Sequence, residues 1–247
     1  MSHLIRFAEK FINPLLSKCL GFRVIRSYPS FDEVRNRLVK ELGIECAIDG
    51  GANLGQWAMR LREHNKSIKI FSFEPVSFTF AQLSKNSAED TRWEVANYAL
   101  GEFEALSKIN LSDNSSMSAS IKDPLFHIEV YPSVKFENFE TIQVIRLDAS
   151  RIVDEPGPLL LKLDVQGFEH EALKGAGKIL SRVALVEIET SFREMYAGEL
   201  KHTDLIAWLE GQGFTIYTIA PPALDQLGRI GYLDCLLLNT SFEGKLK

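Results

Sequence analysis

The chain has 247 residues, 45% of them hydrophobic and 25% charged, with a formal net charge of −5. That length suits one well-packed α/β domain rather than two, and the negative balance excludes the broad basic face of a nucleic-acid binder. Three cysteines (Cys19, Cys46 and Cys235) sit far apart in apolar runs, so we expect reduced thiols in a cytoplasmic protein, with no disulfide framework, CxxC metal centre, secretory leader or bilayer-spanning run.

Residues 1–43 read as an N-terminal helical segment and 44–240 as the core of a single domain spanning 1–247. In the first segment Leu4, Phe7, Phe11, Leu15 and Cys19 recur at helical spacing between Arg6, Lys10 and Lys18, with a kink expected at Pro14. Two roles are open for this helix: docking on the domain, or peripheral membrane contact through residues 3–20 beside a lipid-linked substrate. A second amphipathic helix is predicted over Ser30–Leu42, with Ser30 and Glu33 at capping-box spacing.

Strands and helices then alternate. Strands are predicted over Cys46–Asp49, Ile68–Glu74 and Trp93–Ala99, with helices over Leu54–His64 and Ser77–Ser87 between them. Ala105–Leu111 and Thr141–Leu147 suit an antiparallel excursion around the polar stretch 110–120. Leu159–Asp164 is almost wholly apolar, as in a strand buried on both faces of a parallel sheet. A helix over Phe168–Leu180, a strand over Val183–Glu189 and a helix over Thr203–Gln212 follow. The last two strands, Phe214–Ile219 and Tyr232–Leu238, are joined by about a dozen residues holding two prolines and two glycines, too short for a parallel crossover. The prediction is a doubly wound, seven-stranded, mostly parallel sheet with an antiparallel last strand.

The first strand runs into Asp49-Gly50-Gly51-Ala52-Asn53-Leu54-Gly55-Gln56. Such strand–glycine–helix turns bring a ligand to bare backbone at a helix N-terminus. Gln56-Trp57 exclude a Walker phosphate loop, and the GxGxxG dinucleotide spacing is not met. Asp49 at the strand end suits an ammonium group and would repel pyrophosphate. Glu74 ends the next strand, where a ribose-binding acid belongs. An amino-acid head, a ribose and an adenine together describe S-adenosylmethionine. The candidate cofactor residues are Asp49, Gly50, Gly51, Asn53, Gly55, Gln56, Glu74 and Pro75, with Asn97 toward the adenine edge, Ser116 in a covering loop with Ser115 and Ser118, and Asp164. Trp57 and Phe78 are candidates to pack on the adenine.

Methyl transfer from a sulfonium needs in-line alignment and, for an acceptor that carries a proton, a base to take it. The catalytic candidates are Asp164 at the end of the apolar strand, Glu187 and Glu189 on one face of the next, and Glu169 in the first turn of the following helix. Two acids on one face must pair with cations or reach the cleft. His170 and His202 are lone histidines. A divalent cation held by these acids is a second option, but no ligand spacing points to one and no metal residues are assigned. An NAD-dependent nucleotide-sugar dehydrogenase or epimerase, and a non-catalytic cofactor-binding scaffold, are the alternatives.

Ile48-Asp49-Gly50-Gly51-Ala52-Asn53-Leu54-Gly55, Phe73-Glu74-Pro75, Leu161-Lys162-Leu163-Asp164-Val165-Gln166-Gly167-Phe168-Glu169, Leu173-Lys174-Gly175-Ala176 and Glu187-Ile188-Glu189 occur in that order. As an ordered set they resemble the FkbM family of S-adenosylmethionine-dependent methyltransferases. The resemblance implies a Rossmann-like class I methyltransferase fold and O-methylation of a sugar hydroxyl in a glycolipid, polysaccharide or glycosylated natural product. Phe73–Ser77, Asp164–Glu169 and Met195–Glu199 are similar to members that methylate deoxysugars on glycolipids. Gln166 departs from the family's usual Glu.

Overall fold

The computed structural model describes residues 28–246 apart from Ser115. The amphipathic segment 4–20, with its membrane contact, and the covering role of Ser115 lie outside the described residues. Helix α1 (Phe31–Glu41) starts at the expected capping box, with Glu33 N donating to Ser30 Oγ at 3.2 Å and Ser30 N to Glu33 Oε2 at 2.7 Å. Its buried face carries Val34, Leu38 and Val39, and also a charged residue, Arg35.

Strand β1 (Cys46–Gly50) lies at the centre of the main sheet. It pairs in parallel with β2 (Lys69–Phe73) on one side and β7 (Leu159–Leu163) on the other. Beyond β2 comes β3 (Trp93–Ala96), and beyond β7 comes β8 (Val183–Ser191), both parallel. β11 (Ile230–Asn239) then runs antiparallel to β8, and β9 (Phe214–Ile219) antiparallel to β11. The two-residue β10 (Ala223–Leu224) continues along the same edge of β11. β9 and β10 are thus one edge strand broken at Pro221-Pro222, where prolines supply no ladder N–H. The mostly parallel sheet and its antiparallel end are as predicted.

Helices cover both faces, as a doubly wound sheet requires. α1, α2 (Gln56–His64) and α3 (Ser77–Ser87) pack Leu38, Leu61 and Leu83 on one face, against Ala47, Ile70 and Leu160. α5 (Glu169–Gly175) and α6 (His202–Gly211) pack Leu173, Leu205 and Leu209 on the other, against Ile48, Leu161 and Val186. A smaller sheet joins β4 (Ala99–Leu100), β5 (Ala105–Ser112) and β6 (Phe136–Ile145), with β5 and β6 antiparallel as predicted. The short helix α4 (His127–Val130) lies in the excursion between them.

Several boundaries differ from expectation, β6 starting at Phe136 rather than Thr141 and β8 and β11 running a residue or two longer. The third strand stops at Ala96, and Ala99–Leu100 pair in the smaller sheet instead. Asn97 makes the break, donating from Nδ2 to the carbonyls of Glu74 (2.8 Å) and Pro75 (2.9 Å). Helix α2 begins at Gln56 rather than Leu54 because Gly55 has φ +89°, outside the helical region. The helix expected over Phe168–Leu180 ends at Gly175, where two glycines in three residues lower helix propensity.

The strand register also aligns a polar row across the buried interior. Ser72 lies opposite Asp49, Asp49 opposite Lys162, and Lys162 opposite Glu187. Paired residues share one face, so four polar side chains cross the sheet beneath α1 and α2.

Candidate active site

A cavity of about 330 Å³ opens at the carboxyl ends of β1, β2, β7 and β8, where open α/β sheets bind ligands. Gly51, Asn53, Gln56, Glu74, Pro75 and Ser116 line one part of it, and Asp164, Glu187 and Glu189 another. Gly51 has φ +72°, and a Cβ there would stand 1.9 Å from the Asp164 carbonyl oxygen. Only glycine lets the β1 turn pass so close to the end of β7. Glu74 is 5% exposed, with Oε2 accepting from Asn53 N (2.9 Å) and Oε1 from Val76 N (3.0 Å). Burial raises its pKa to about 7. Each of its oxygens keeps a further lone pair for a ligand hydroxyl.

Asp49 is fully buried and does not line the cavity. The ammonium that meets it is the chain's own: Lys162 Nζ stands 3.0 Å from Asp49 Oδ1, and the Ser72 hydroxyl donates to Oδ2 at 3.1 Å. Lys162 also donates to the carbonyls of Gly50 (3.2 Å) and Gly51 (2.9 Å). Burial alone would lower its pKa, but the Asp49 and Asp164 carboxylates reverse that and raise it. Asp49 and Gly50 therefore shape the turn from beneath. Gly55 and Asn97 are scaffold residues too: Gly55 packs over Trp93, and Asn97 holds the loop after β2.

The four acids fall into different roles. Glu187 lines the cavity, but its carboxylate accepts from Arg35 Nη1 on both oxygens (3.2 Å each) and from Trp57 Nε1 (2.9 Å). Glu169 does not line it; its Oε1 accepts from Val165 N (2.9 Å) and Gly167 N (3.3 Å), tying down the turn that carries Asp164. Burial raises the Glu169 pKa to about 8. Asp164 lines the cavity, with Oδ1 accepting from Gln166 Nε2 at 2.7 Å. A neutral Gln donates here as an ionised Glu would not. Glu189 lines the cavity and has no hydrogen-bond or ion-pair partner among the described residues. Withdrawal from solvent, then the charges of Asp164, Glu169 and Asp234, push its pKa well above the usual carboxylate range.

A second cavity of about 250 Å³ adjoins the first, and Met117, Asp164, Gln166 and Glu189 line both. Its other walls are Asn114, Ser118, His127, Tyr131, Met195, Tyr196 and Tyr232. The Tyr196 hydroxyl donates to Gln166 Oε1 at 2.6 Å, the Tyr131 and Tyr232 hydroxyls are 2.8 Å apart, and His127 Nε2 is 2.9 Å from Ser118 Oγ. No Lys or Arg lines this chamber among the described residues.

Other expectations resolve away from the site. Phe78 is 82% exposed and does not line the cavity, whereas Trp57 does. His170 packs edge-on against Trp208, and His202 bonds Thr190 Oγ1 at 2.9 Å. Among the described residues no cluster of His, Cys, Asp and Glu forms a metal site. Sequence reasoning assigned no role to Lys162, Arg35, Asp234 or the chamber tyrosines. For two of these a signal existed: Lys162 and Asp234 each interrupt an otherwise apolar strand.

The FkbM methyltransferase domain model matches residues 49–216, from the acid of the β1 turn into β9. The chain belongs to the FkbM methyltransferase family. It is similar to the 2-O-methyltransferase NoeI of Sinorhizobium fredii (strain NBRC 101917 / NGR234), at 25% identity over 165 residues, covering 62% of this chain and 66% of that protein. The FkbM methyltransferase from Methylobacillus flagellatus KT shares the fold, with a TM-score of 0.50 at 18% identity. That match covers 79% of this chain and 43% of the other; the chain thus spans less than half of that structure and just under two thirds of NoeI.

Proposed function

We propose that this methyltransferase transfers a methyl group from S-adenosylmethionine to a hydroxyl of a sugar. The observation that carries the reading is the wall shared by the two cavities, which bears a carboxyl, Glu189, with no partner among the described residues. The first cavity suits the cofactor. Glu74 has acceptor capacity for two ribose hydroxyls, and Gly51, Asn53 and Gln56 line the same part of the cavity, on a turn that a Cβ at Gly51 would push off the Asp164 carbonyl. When bound, the cofactor supplies an electrophilic methyl carbon on a sulfonium. The second chamber suits the acceptor, since tyrosine faces, hydroxyls and an imidazole without a lining cation match an uncharged, hydroxyl-rich ring. NoeI, by its name a 2-O-methyltransferase, supports an oxygen acceptor.

The protein's part is alignment and proton transfer. Asp164 is held by Gln166, and Glu187 by Arg35 and Trp57. Glu189 is the acid left to take the acceptor's proton. A donor held in the first cavity would supply the methyl group to the acceptor oxygen and leave as the neutral thioether, and Glu189 Oε would take the acceptor's O–H proton. In-line positioning supplies most of the rate, and such a base contributes about 10²–10⁴-fold.

The test is mass spectrometry of neutral methyl glycosides incubated with the protein and S-adenosylmethionine. The reading predicts a product heavier by one methylene, and a turnover at least about a hundredfold lower in Glu189→Gln with cofactor binding kept. Methylation of nitrogen or carbon acceptors alone, or full turnover in the variant, would overturn it.

A further inference from the structure

Glu189 stands in a group of acids that the reaction as written does not require. Across the β8–β11 ladder it lies directly opposite Asp234, which also lines the cofactor cavity. From the end of β7 it faces Asp164, from the start of α5 Glu169, and from the loop after β8 Glu199, each of which acts on its titration. Tyr196 and Tyr232 feel its charge in turn. On its own strand Glu187 is matched by Arg35 at 3.2 Å.

None of the nearby cations pairs with Glu189 among the described residues. Lys162 is held by Asp49 and two carbonyls and comes no closer than 4.0 Å to Asp164 Oδ2. Lys122 pairs with Glu171 at 3.0 Å, and Arg60 lines the cavity and acts on Asp234. His127, in the second chamber, is turned to Ser118. With acids on four elements around it and no ion-pair partner among the described residues, Glu189 is the acid of the empty site pushed furthest toward its protonated form by burial and by its neighbours. Burial, with Asp164 and Glu187, also raises the Asp234 pKa to about 6, and burial raises that of Glu199 to about 7 against the hydrogen bonds it accepts.

We propose that loading of the methyl donor is linked to release of a proton from this cluster, chiefly from Glu189, so that the base is ionised only when a sulfonium stands beside it. The inference rests on the functional reading above, in which the donor would fill the first cavity, the acceptor the second, and Glu189 lines both. A unit positive charge about 4 Å from a carboxyl, at an effective dielectric of about 20, lowers its pKa by about three units. That shift opposes the one burial and the neighbouring acids impose on Glu189. The proton balance of the cycle then closes. One proton leaves to solvent as the cationic donor binds, and the acceptor's hydroxyl proton replaces it on Glu189 as the O–C bond forms and the C–S bond breaks. The product thioether is neutral and meets a protonated acid. The site thereby distinguishes donor from product by charge.

The experiment is calorimetric titration of the full chain in two buffers of different ionisation enthalpy. The ligands are S-adenosylmethionine, S-adenosylhomocysteine and sinefungin, which carries an ammonium near the sulfonium position. Near neutral pH the two cationic ligands should release close to one proton more than S-adenosylhomocysteine, any change at Glu74 being common to all three. Affinity for the cationic ligands should rise with pH by up to about tenfold per unit more steeply than that of S-adenosylhomocysteine while the cluster is protonated, the titration of the ribose acceptor Glu74 being common to all three. Glu189→Gln should bind the homocysteine as the wild type does, which also shows that it folds, and lose the extra proton release. Equal proton counts for charged and neutral ligands, or extra release retained in Glu189→Gln, would overturn the linkage. Failure of all three ligands to bind the wild type would instead overturn the functional reading, and the linkage with it.

Discussion

Replacing Lys162 by Met tests whether the polar row under the site is a coupled unit. Lys162 Nζ is shared by Asp49 Oδ1 at 3.0 Å, Gly51 O at 2.9 Å and Gly50 O at 3.2 Å, and Asp49 is 0% exposed. Without the ammonium, Asp49 keeps only the Ser72 hydroxyl. Removing one partner of a buried pair costs about 3–5 kcal/mol, because the other charge stays buried, whereas replacing both by neutral groups is close to neutral. Lys162→Met should therefore cost about 4 kcal/mol, and Asp49→Asn/Lys162→Met markedly less than that. Urea denaturation followed by circular dichroism, compared at constant slope, gives the cycle. Additive single-variant costs would refute the reasoning, since independent sites add and a coupled pair does not.

Arg35→Met should cost about 3 kcal/mol, because Glu187 is left buried with only the Trp57 donor. The same denaturation assay should show much of that cost regained in Arg35→Met/Glu187→Gln. Glu74 and Glu169 have folded pKa values of about 7 and about 8, above the unfolded value of 4.5. Their contribution to stability is present below the unfolded pKa and lost as pH rises through the folded one. The melting temperature of the ligand-free protein should thus fall between about pH 5 and pH 8, each group contributing at most about 1.4 kcal/mol per unit. Glu169→Gln should flatten the upper part of that fall, and a melting temperature that climbs over this range would contradict the assignment. Gly51→Ala should abolish S-adenosylhomocysteine binding, because its Cβ meets backbone at 1.9 Å. Gly198→Ala has the same φ of +72° in open space and should keep binding in the same titration.

The parts of the site that sequence reasoning located are those written in local chain. The β1 turn, Glu74 and Asp164 follow from glycines and acids at strand ends, where spacing alone dictates what reaches the cleft. The antiparallel end followed from a connection too short to cross over. What escaped depends on register between strands distant in sequence. A strand-end acid such as Asp49 suits a ligand's ammonium, but the register of β1 with β7 sets Lys162 opposite it. Glu187 was grouped with Glu189 because both point to one face, yet a helix more than a hundred residues earlier delivers Arg35 to Glu187 alone. Asn97 and Gly55 were placed in the site and instead build it, one by bridging to the loop after β2 and the other by turning the chain over Trp93. The second chamber collects residues from the excursion, the loop after β8 and β11, a combination that no local pattern carries.

The account turns on what the first cavity holds. Equilibrium titration with S-adenosylhomocysteine and, separately, with NAD tests this most directly, using the wild type and Glu74→Ala. Loss of a charged acceptor for two ribose hydroxyls is worth at least about a hundredfold in affinity. The account predicts saturable binding of S-adenosylhomocysteine that weakens by that factor in Glu74→Ala, and no binding of NAD. Binding of NAD alone, or S-adenosylhomocysteine binding indifferent to Glu74, would contradict it.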